Sequence, residues 1–230
     1  MKKWILHIIL ALTLILCGCA TPAKNTAVQV STIDALLAGV YDGAVAYEEL
    51  IRKNGDFGIG TFDGLDGEMV LFDGHLYQVR ADGRVYHPDI AVHTPFATVC
   101  RFAPDKTMPV PGNTTFESLK TLLDNQAPNQ NLFYAIKLTG TFKQMKTRSV
   151  PGQQKPYPPL KEVTSNQPEF EMTDIAGTIV GFRCPPYVKG INVPGYHLHF
   201  ISEDEASGGH ILSFEVADAT CDIDLLDRYY

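Results

Sequence analysis

The sequence predicts an α+β fold, rich in short strands and carrying few helices. Three observations lead there. Asp73-Gly74 and Asp82-Gly83 separate apolar runs of strand length, as tight hairpins require. From Leu132 onward, apolar segments of strand length alternate with stretches rich in Pro, Gly and Asn. Helical periodicity is confined to brief stretches with recognisable caps. The Pro-, Gly- and Gln-rich stretch from Val150 to Pro159 marks a boundary between two closely packed domains, residues 28–150 and 151–230.

The N-terminus is expected to lie outside the fold. Met1-Lys2-Lys3 is a positive n-region, and Trp4 to Leu16 is a nearly unbroken apolar run. Leu16-Cys17-Gly18-Cys19 follows and resembles a bacterial lipoprotein signal. On that reading residues 1–18 are a signal peptide, Cys19 is lipidated, and residues 19–27 form a tether. The protein is then exported and held at a membrane surface, periplasmic or cell-surface. The alternative is a transmembrane anchor, but the run falls short of the ~20 apolar residues a spanning helix needs.

The remaining elements follow in order. Ser31-Thr32 caps a short helix over Ile33–Leu37. Val45 to Ile51 reads as a second helix, stopped by Asn54-Gly55. Gly58-Ile59-Gly60-Thr61-Phe62 reads as a loop whose glycines permit close backbone approach. Glu68 to Phe72 and His75 to Arg80 form a hairpin, and Phe96 to Phe102 a further strand. Thr115 to Leu123 is a helix with the stripe Leu119, Leu122, Leu123. Strands are then expected over 132–141, 170–173, 177–183, 196–202 and 210–216.

Composition limits the function. The formal net charge is −7, and removing Lys2 and Lys3 with the signal makes it more negative. That argues against nucleic acid, whose phosphates need clustered cations. Beyond Cys17 and Cys19 the chain carries Cys100, Cys184 and Cys221, an odd number at wide spacing and no disulfide framework. A single bridge fits an exported protein, but no pair is singled out. Cys184 has no flanking base and reads as a buried, inert thiol.

The chemistry concentrates near the C-terminus. Of seven histidines, His197, His199 and His210 fall within fourteen residues. On a strand, His197 and His199 leave the same face. His210, after Gly208-Gly209, opens a second apolar stretch able to return as a hairpin. Cross-strand Cβ atoms lie roughly 4.5–5.5 Å apart, so three imidazoles can converge on one ion. Three nitrogen ligands with an open fourth position are the arrangement of a catalytic Zn²⁺. Glu203 and Glu205 are candidates for a fourth ligand. The histidine pair followed by an acid and glycine also resembles the first metal motif of cupins, although His210 comes early for the second. Glu68 stands at a strand end, and Arg148 is suited to hold a carboxylate through a bidentate pair.

Taken together, ordered segments over nearly all the chain resemble the bacterial α-acetolactate decarboxylase family. They are Ser31–Gly39, Gly55-Asp56-Phe57-Gly58-Ile59-Gly60-Thr61-Phe62, Leu65-Asp66-Gly67-Glu68-Met69, Lys146-Thr147-Arg148-Ser149-Val150-Pro151, Gly195–Ser202 and Gly208-Gly209-His210. The resemblance implies a larger mixed sheet in the N-terminal domain and a smaller antiparallel sheet carrying the metal in the C-terminal one. It implies a Zn²⁺ carboxy-lyase converting 2-acetolactate (2-hydroxy-2-methyl-3-oxobutanoate) to acetoin and CO₂, with the metal stabilising an enediolate. His197, His199 and His210 match the zinc ligands, and Glu68 and Arg148 match active-site residues. Arg148 binds the substrate carboxylate, while Thr61 and Leu65 line the pocket. A second glutamate, carried by a C-terminal tail in the family, has no match before Tyr230. The expected partners are this small acid, a membrane through Cys19 and, as a homodimer, a second copy. The rival readings are a surface lipoprotein that binds metal or a small acid without turnover, and a cupin-like metal oxygenase.

Overall fold

A computed structural model describes residues 24–230. Cys19 and the expected signal lie outside the described residues, as does most of the expected tether. Along the chain run β1 (Thr26–Val30), α1 (Ile33–Leu37), β2 (Val45–Ala46), α2 (Tyr47–Asn54), β3 (Phe57–Thr61), β4 (Glu68–Phe72), β5 (His75–Val79), β6 (Val85–Tyr86), β7 (His93–Thr94), β8 (Phe96–Cys100) and β9 (Lys106–Val110). Then come α3 (Phe116–Gln126), β10 (Phe133–Arg148), α4 (Leu160–Thr164), β11 (Glu169–Cys184), β12 (Gly195–Ser202), β13 (Gly208–Leu226) and β14 (Arg228–Tyr229).

The α+β class holds. One sheet has the order β14-β1-β8-β3-β4-β5-β6 and is mixed, because β14 runs parallel to β1 while the other pairs are antiparallel. The second sheet, β10-β11-β12-β13-β9, is antiparallel. A further β10–β13 pairing closes β10, β11, β12 and β13 into a ring. The division between sheets does not fall at residue 150. β9 and β10 precede that point but pair with C-terminal strands, whereas β14 returns to the N-terminal sheet. β10 and β13 pair over almost their full spans, so the long strands carry the second sheet across that point.

Alternation along the long strands builds two cores. Phe133 and Ala135 of β10, with Val180 and Phe182 of β11 and Ile201 of β12, pack against Phe57, Ile59, Val70 and Val79 of the first sheet. Their sequence neighbours Tyr134, Ile136, Ile179, Leu198 and Phe200 point the other way, onto Leu119 and Leu123 of α3. Odd-numbered β12 residues thus face the first sheet, and this sets the direction of His197 and His199.

Several local expectations change. Gly58 to Thr61, read together with Phe62 as a loop, instead belong to the wholly buried strand β3. Gly58 and Gly60 are there because a Cβ on either would collide with carbonyl oxygens of β8. Thr26 and Ala27, assigned to the tether, belong to β1, with Ala27 buried in the inter-sheet core. Helix α2 begins only at Tyr47, after Val45–Ala46 have paired with β7. Thr32 caps α1 as expected, its side chain accepting from the Ala35 amide at 3.1 Å. Cys100, Cys184 and Cys221 are free and buried, and burial pushes the Cys184 thiol up to about 12. Among the described residues no helix is long and apolar enough to cross a membrane.

Candidate active site

Strand register assembles the site. His199 pairs directly with His210 across β12–β13, and His210 with Arg148 across β13–β10. On the first sheet, Thr61 pairs directly with Glu68 across β3–β4. The expected histidine hairpin therefore forms. Arg148 joins it after register shifts in the β10–β13 pairing between Thr141 and Thr147, of which the one at Lys143 resets the side-chain alternation of β10.

The three imidazoles converge. His197 Nε2 lies 3.2 Å from His210 Nδ1 and 3.2 Å from His199 Nε2, and the third separation is 3.3 Å. A tetrahedral ion bound at about 2.0–2.1 Å would hold its nitrogens about 3.3 Å apart, so the triangle has the size a metal requires. His199 donates through Nδ1 to the Met69 carbonyl at 2.9 Å, which leaves the Nε2 lone pair facing the group. Burial, reinforced by the Arg148 charge, holds His197 down at about 4. Burial and neighbouring imidazoles hold His199 and His210 well below the usual histidine range. All three are therefore neutral at neutral pH, the state in which imidazole ligates metals.

Glu203 and Glu205 do not join them. The group of converging ligand atoms contains only the three histidines. Glu205 instead accepts from the Tyr77 hydroxyl at 3.0 Å and pairs with His87 at 3.2 Å. The turn after Ser202 carries both acids beyond the end of β12, and both are exposed.

Glu68 approaches from the opposing sheet, its Oε2 3.6 Å from His199 Nε2. Burial pushes its carboxyl up to about 7, against the opposing pull of Arg148 and the Val150 backbone. A carboxyl in that range both gives and takes a proton near neutrality. Thr61 donates its hydroxyl to the Gly67 carbonyl at 2.6 Å, and its own carbonyl accepts from the hydroxyls of Tyr47 and Thr94, each at 2.7 Å. Leu65 is held at φ 58°, an uncommon left-handed conformation for a side chain of this size, while the side chain itself is buried. That bend, between Gly64 and Gly67 at φ 68° and 85°, sets Leu65 beside Glu68 at the cavity wall.

A cavity of about 260 Å³ joins these groups. Thr61, Leu65, Glu68, Arg148, His197 and His210 all line it; His199 lies behind them, fully buried. Sequence reasoning did not foresee the rest of the wall. Ile33 and Leu36 come from α1, Leu160 and Thr164 from α4, and Gln167, Val193 and Tyr196 from neighbouring segments. The Leu160 and Val163 spacing was the signal for α4, a five-residue helix too short to stand out after a Pro-rich stretch. Tyr196 adjoined the histidine motif and could have been found there. Its hydroxyl donates to Asp124 of α3 at 2.7 Å, and Arg183 Nε meets the same carboxylate oxygen at 3.1 Å.

The apparatus is that of an enzyme acting on a small acid: a group able to hold a metal, a near-neutral carboxyl and a cation at one cavity. Residues 28–230 match the alpha-acetolactate decarboxylase family. An alpha-acetolactate decarboxylase from Methanosarcina mazei is 51% identical over 203 residues, covering 87% of this chain and 70% of that protein. One from Methylococcus capsulatus is 45% identical over 201 residues, covering 87% and 77%. The crystal structure of the Bacillus subtilis alpha-acetolactate decarboxylase superposes with a TM-score of 0.87 at 42% identity, covering 89% of this chain and 87% of that one. The fold and relatives place the protein among carboxy-lyases. The chain belongs to the alpha-acetolactate decarboxylase family.

Proposed function

We propose that the protein decarboxylates 2-acetolactate to acetoin with Zn²⁺ held by His197, His199 and His210, Arg148 as the carboxylate-binding residue and Glu68 as the proton-transfer residue. One observation carries this reading: a buried carboxyl, 3.6 Å from the histidine group, shares a cavity with Arg148.

The chemistry needs three things. Arg148 binds the substrate carboxylate and aligns the bond to be broken. When that C–C bond breaks, CO₂ leaves without the electron pair, which flows onto the adjacent ketone. A bound divalent ion supplies Lewis acidity for the negative charge that develops there. Glu68, near-neutral through burial, is placed to deliver a proton to the carbon that lost CO₂, giving acetoin. Leu65, Phe96, Val150 and Leu160 present apolar surface to the substrate's methyl groups and limit water. Thr61, its hydroxyl proton committed to Gly67, offers only acceptor lone pairs to the cavity.

The test is acetoin and CO₂ release from acetolactate by purified residues 20–230, metal-free and reloaded with Zn²⁺ or Fe²⁺. Zinc-dependent turnover without oxygen uptake supports the reading. Full activity in metal-free His197→Ala/His199→Ala protein would overturn it, metal binding without turnover would favour a binding lipoprotein, and oxygen uptake with iron would favour the oxygenase.

Export is a separate part of the reading and rests on Met1–Cys19 of the sequence. Mass spectrometry of the membrane fraction is expected to find acylated Cys19, and Cys19→Ala to release the protein from it. Homodimer formation is to be tested by light scattering.

A further inference from the structure

We infer that Gln167 is a positioning residue for Arg148, holding the guanidinium in place with a neutral acceptor so that its charge remains available to a substrate carboxylate. The inference rests on the proposed role of Arg148.

Three facts support it. With its amide oxygen turned toward the guanidinium, Gln167 accepts from Arg148 NH1 at 2.7 Å and from Nε at 3.0 Å. Two donors of the planar guanidinium thus converge on one oxygen, which restrains where the group sits. Second, Arg148 forms no ion pair among the described residues, unlike Arg80, Arg183 and Arg228. A half-buried arginine usually gains a carboxylate partner, because desolvated charge is costly. Here its side-chain acceptor is the uncharged amide of Gln167. Third, both residues line the same cavity as Glu68, His197 and His210.

The fold explains the juxtaposition. Arg148 ends β10 and pairs in register with Glu169 at the start of β11. Gln167 lies just before that strand, and the Ser149 amide donates to the Pro168 carbonyl at 3.3 Å, closing the connection. Residues 149–168 thus leave Arg148, pass over the cavity as α4, and return Gln167 to the same guanidinium. A glutamate at 167 would satisfy the same geometry but neutralise the charge the substrate needs. An asparagine would fall one methylene short.

The test compares steady-state kinetics of Gln167→Met, Gln167→Glu and Arg148→Ala, with thermal midpoints for each. Gln167→Met fills similar volume without an acceptor and is expected to raise KM about tenfold, with kcat changed less than about threefold. Gln167→Glu, with an internal carboxylate competing for Arg148, is expected to raise KM about a hundredfold or more. In the Arg148→Ala background neither change should add to the loss. Wild-type KM in folded Gln167→Met would overturn the inference and assign Gln167 to packing, and so would equal losses from Gln167→Met with and without Arg148. If Arg148→Ala itself left KM unchanged, the failure would lie in the proposed role of Arg148. If Arg148→Ala impaired KM and the Gln167 variants did not, only the positioning role would fail.

Discussion

Glu68 and His199 sit on different sheets, yet their side chains meet at 3.6 Å, while the next residue's carbonyl, that of Met69, accepts from the far nitrogen of the same imidazole at 2.9 Å. One strand, β4, therefore both orients a histidine of the converging trio and delivers the acid beside it. Replacing Glu68 by Gln keeps the shape and removes the proton. The expected outcome is a kcat loss of about 10²–10⁴-fold, the usual weight of a positioned acid or base, with little change in KM. Single-turnover measurement of acetoin formation checks this; unchanged turnover would reduce Glu68 to a strand-end acid.

Arg148→Lys retains the charge and loses the fork. It is expected to recover only part of the affinity lost in Arg148→Ala, because an ammonium neither binds a carboxylate at two points nor engages Gln167 through a planar edge. Since the carboxylate loses its charge as CO₂ departs, the loss should appear in KM more than in kcat. Steady-state kinetics over a range of acetolactate concentrations decides.

Metal binding should be visible in stability. A ligand that binds only the folded state stabilises it by about 2.7 kcal/mol at a hundred times its Kd. Adding Zn²⁺ to metal-free protein is therefore expected to raise Tm by several degrees, and the rise should vanish in His210→Ala, which leaves the triangle one nitrogen short. Calorimetry with and without chelator measures it; an equal rise in the variant would place the zinc elsewhere.

Asp224 provides a pH prediction away from the site. Its carboxyl is buried, its Oδ2 accepts from the Ala103 amide at 2.8 Å, and its Oδ1 has no partner. Burial raises it from 3.8 to about 6. The folded state thus holds this proton more tightly than the unfolded chain, so this group's contribution to stability falls as pH rises from about 4 to about 6 and is level above that. Asp224→Asn should gain stability relative to wild type across that window, reaching roughly 3 kcal/mol at its upper end. Urea denaturation at pH 4, 5, 6 and 7 tests the sign; a pH-independent difference between the two proteins would refute it.

Local signals in the sequence carried much of the chemistry. The His197–His199 spacing already implied one face of a strand, and Gly208-Gly209 implied the return that pairs His199 with His210. Caps located α1 and α3, and Asp73-Gly74 located the β4–β5 turn. What was misread has a common cause. The glycines of β3 have the same composition as a loop, and only contact with β8 shows that they make room for a neighbouring backbone. Strands β10, β11 and β13 were expected to be shorter because their middles are polar or glycine-containing, and continuous pairing with β10 or its neighbours carries the ladder through those stretches.

The sequence by itself determined the ligand types, the two-residue histidine period, the helix caps and the hairpin turns, since each depends on neighbours a few positions away. Only the tertiary structure decided which sheet each strand joins, how the shifts in the β10–β13 pairing aim Arg148 at the histidines, and that Gln167 rather than an acid meets its guanidinium. Those outcomes depend on long-range register. A one-residue slip in register would reverse every side chain that follows, and no local pattern records it.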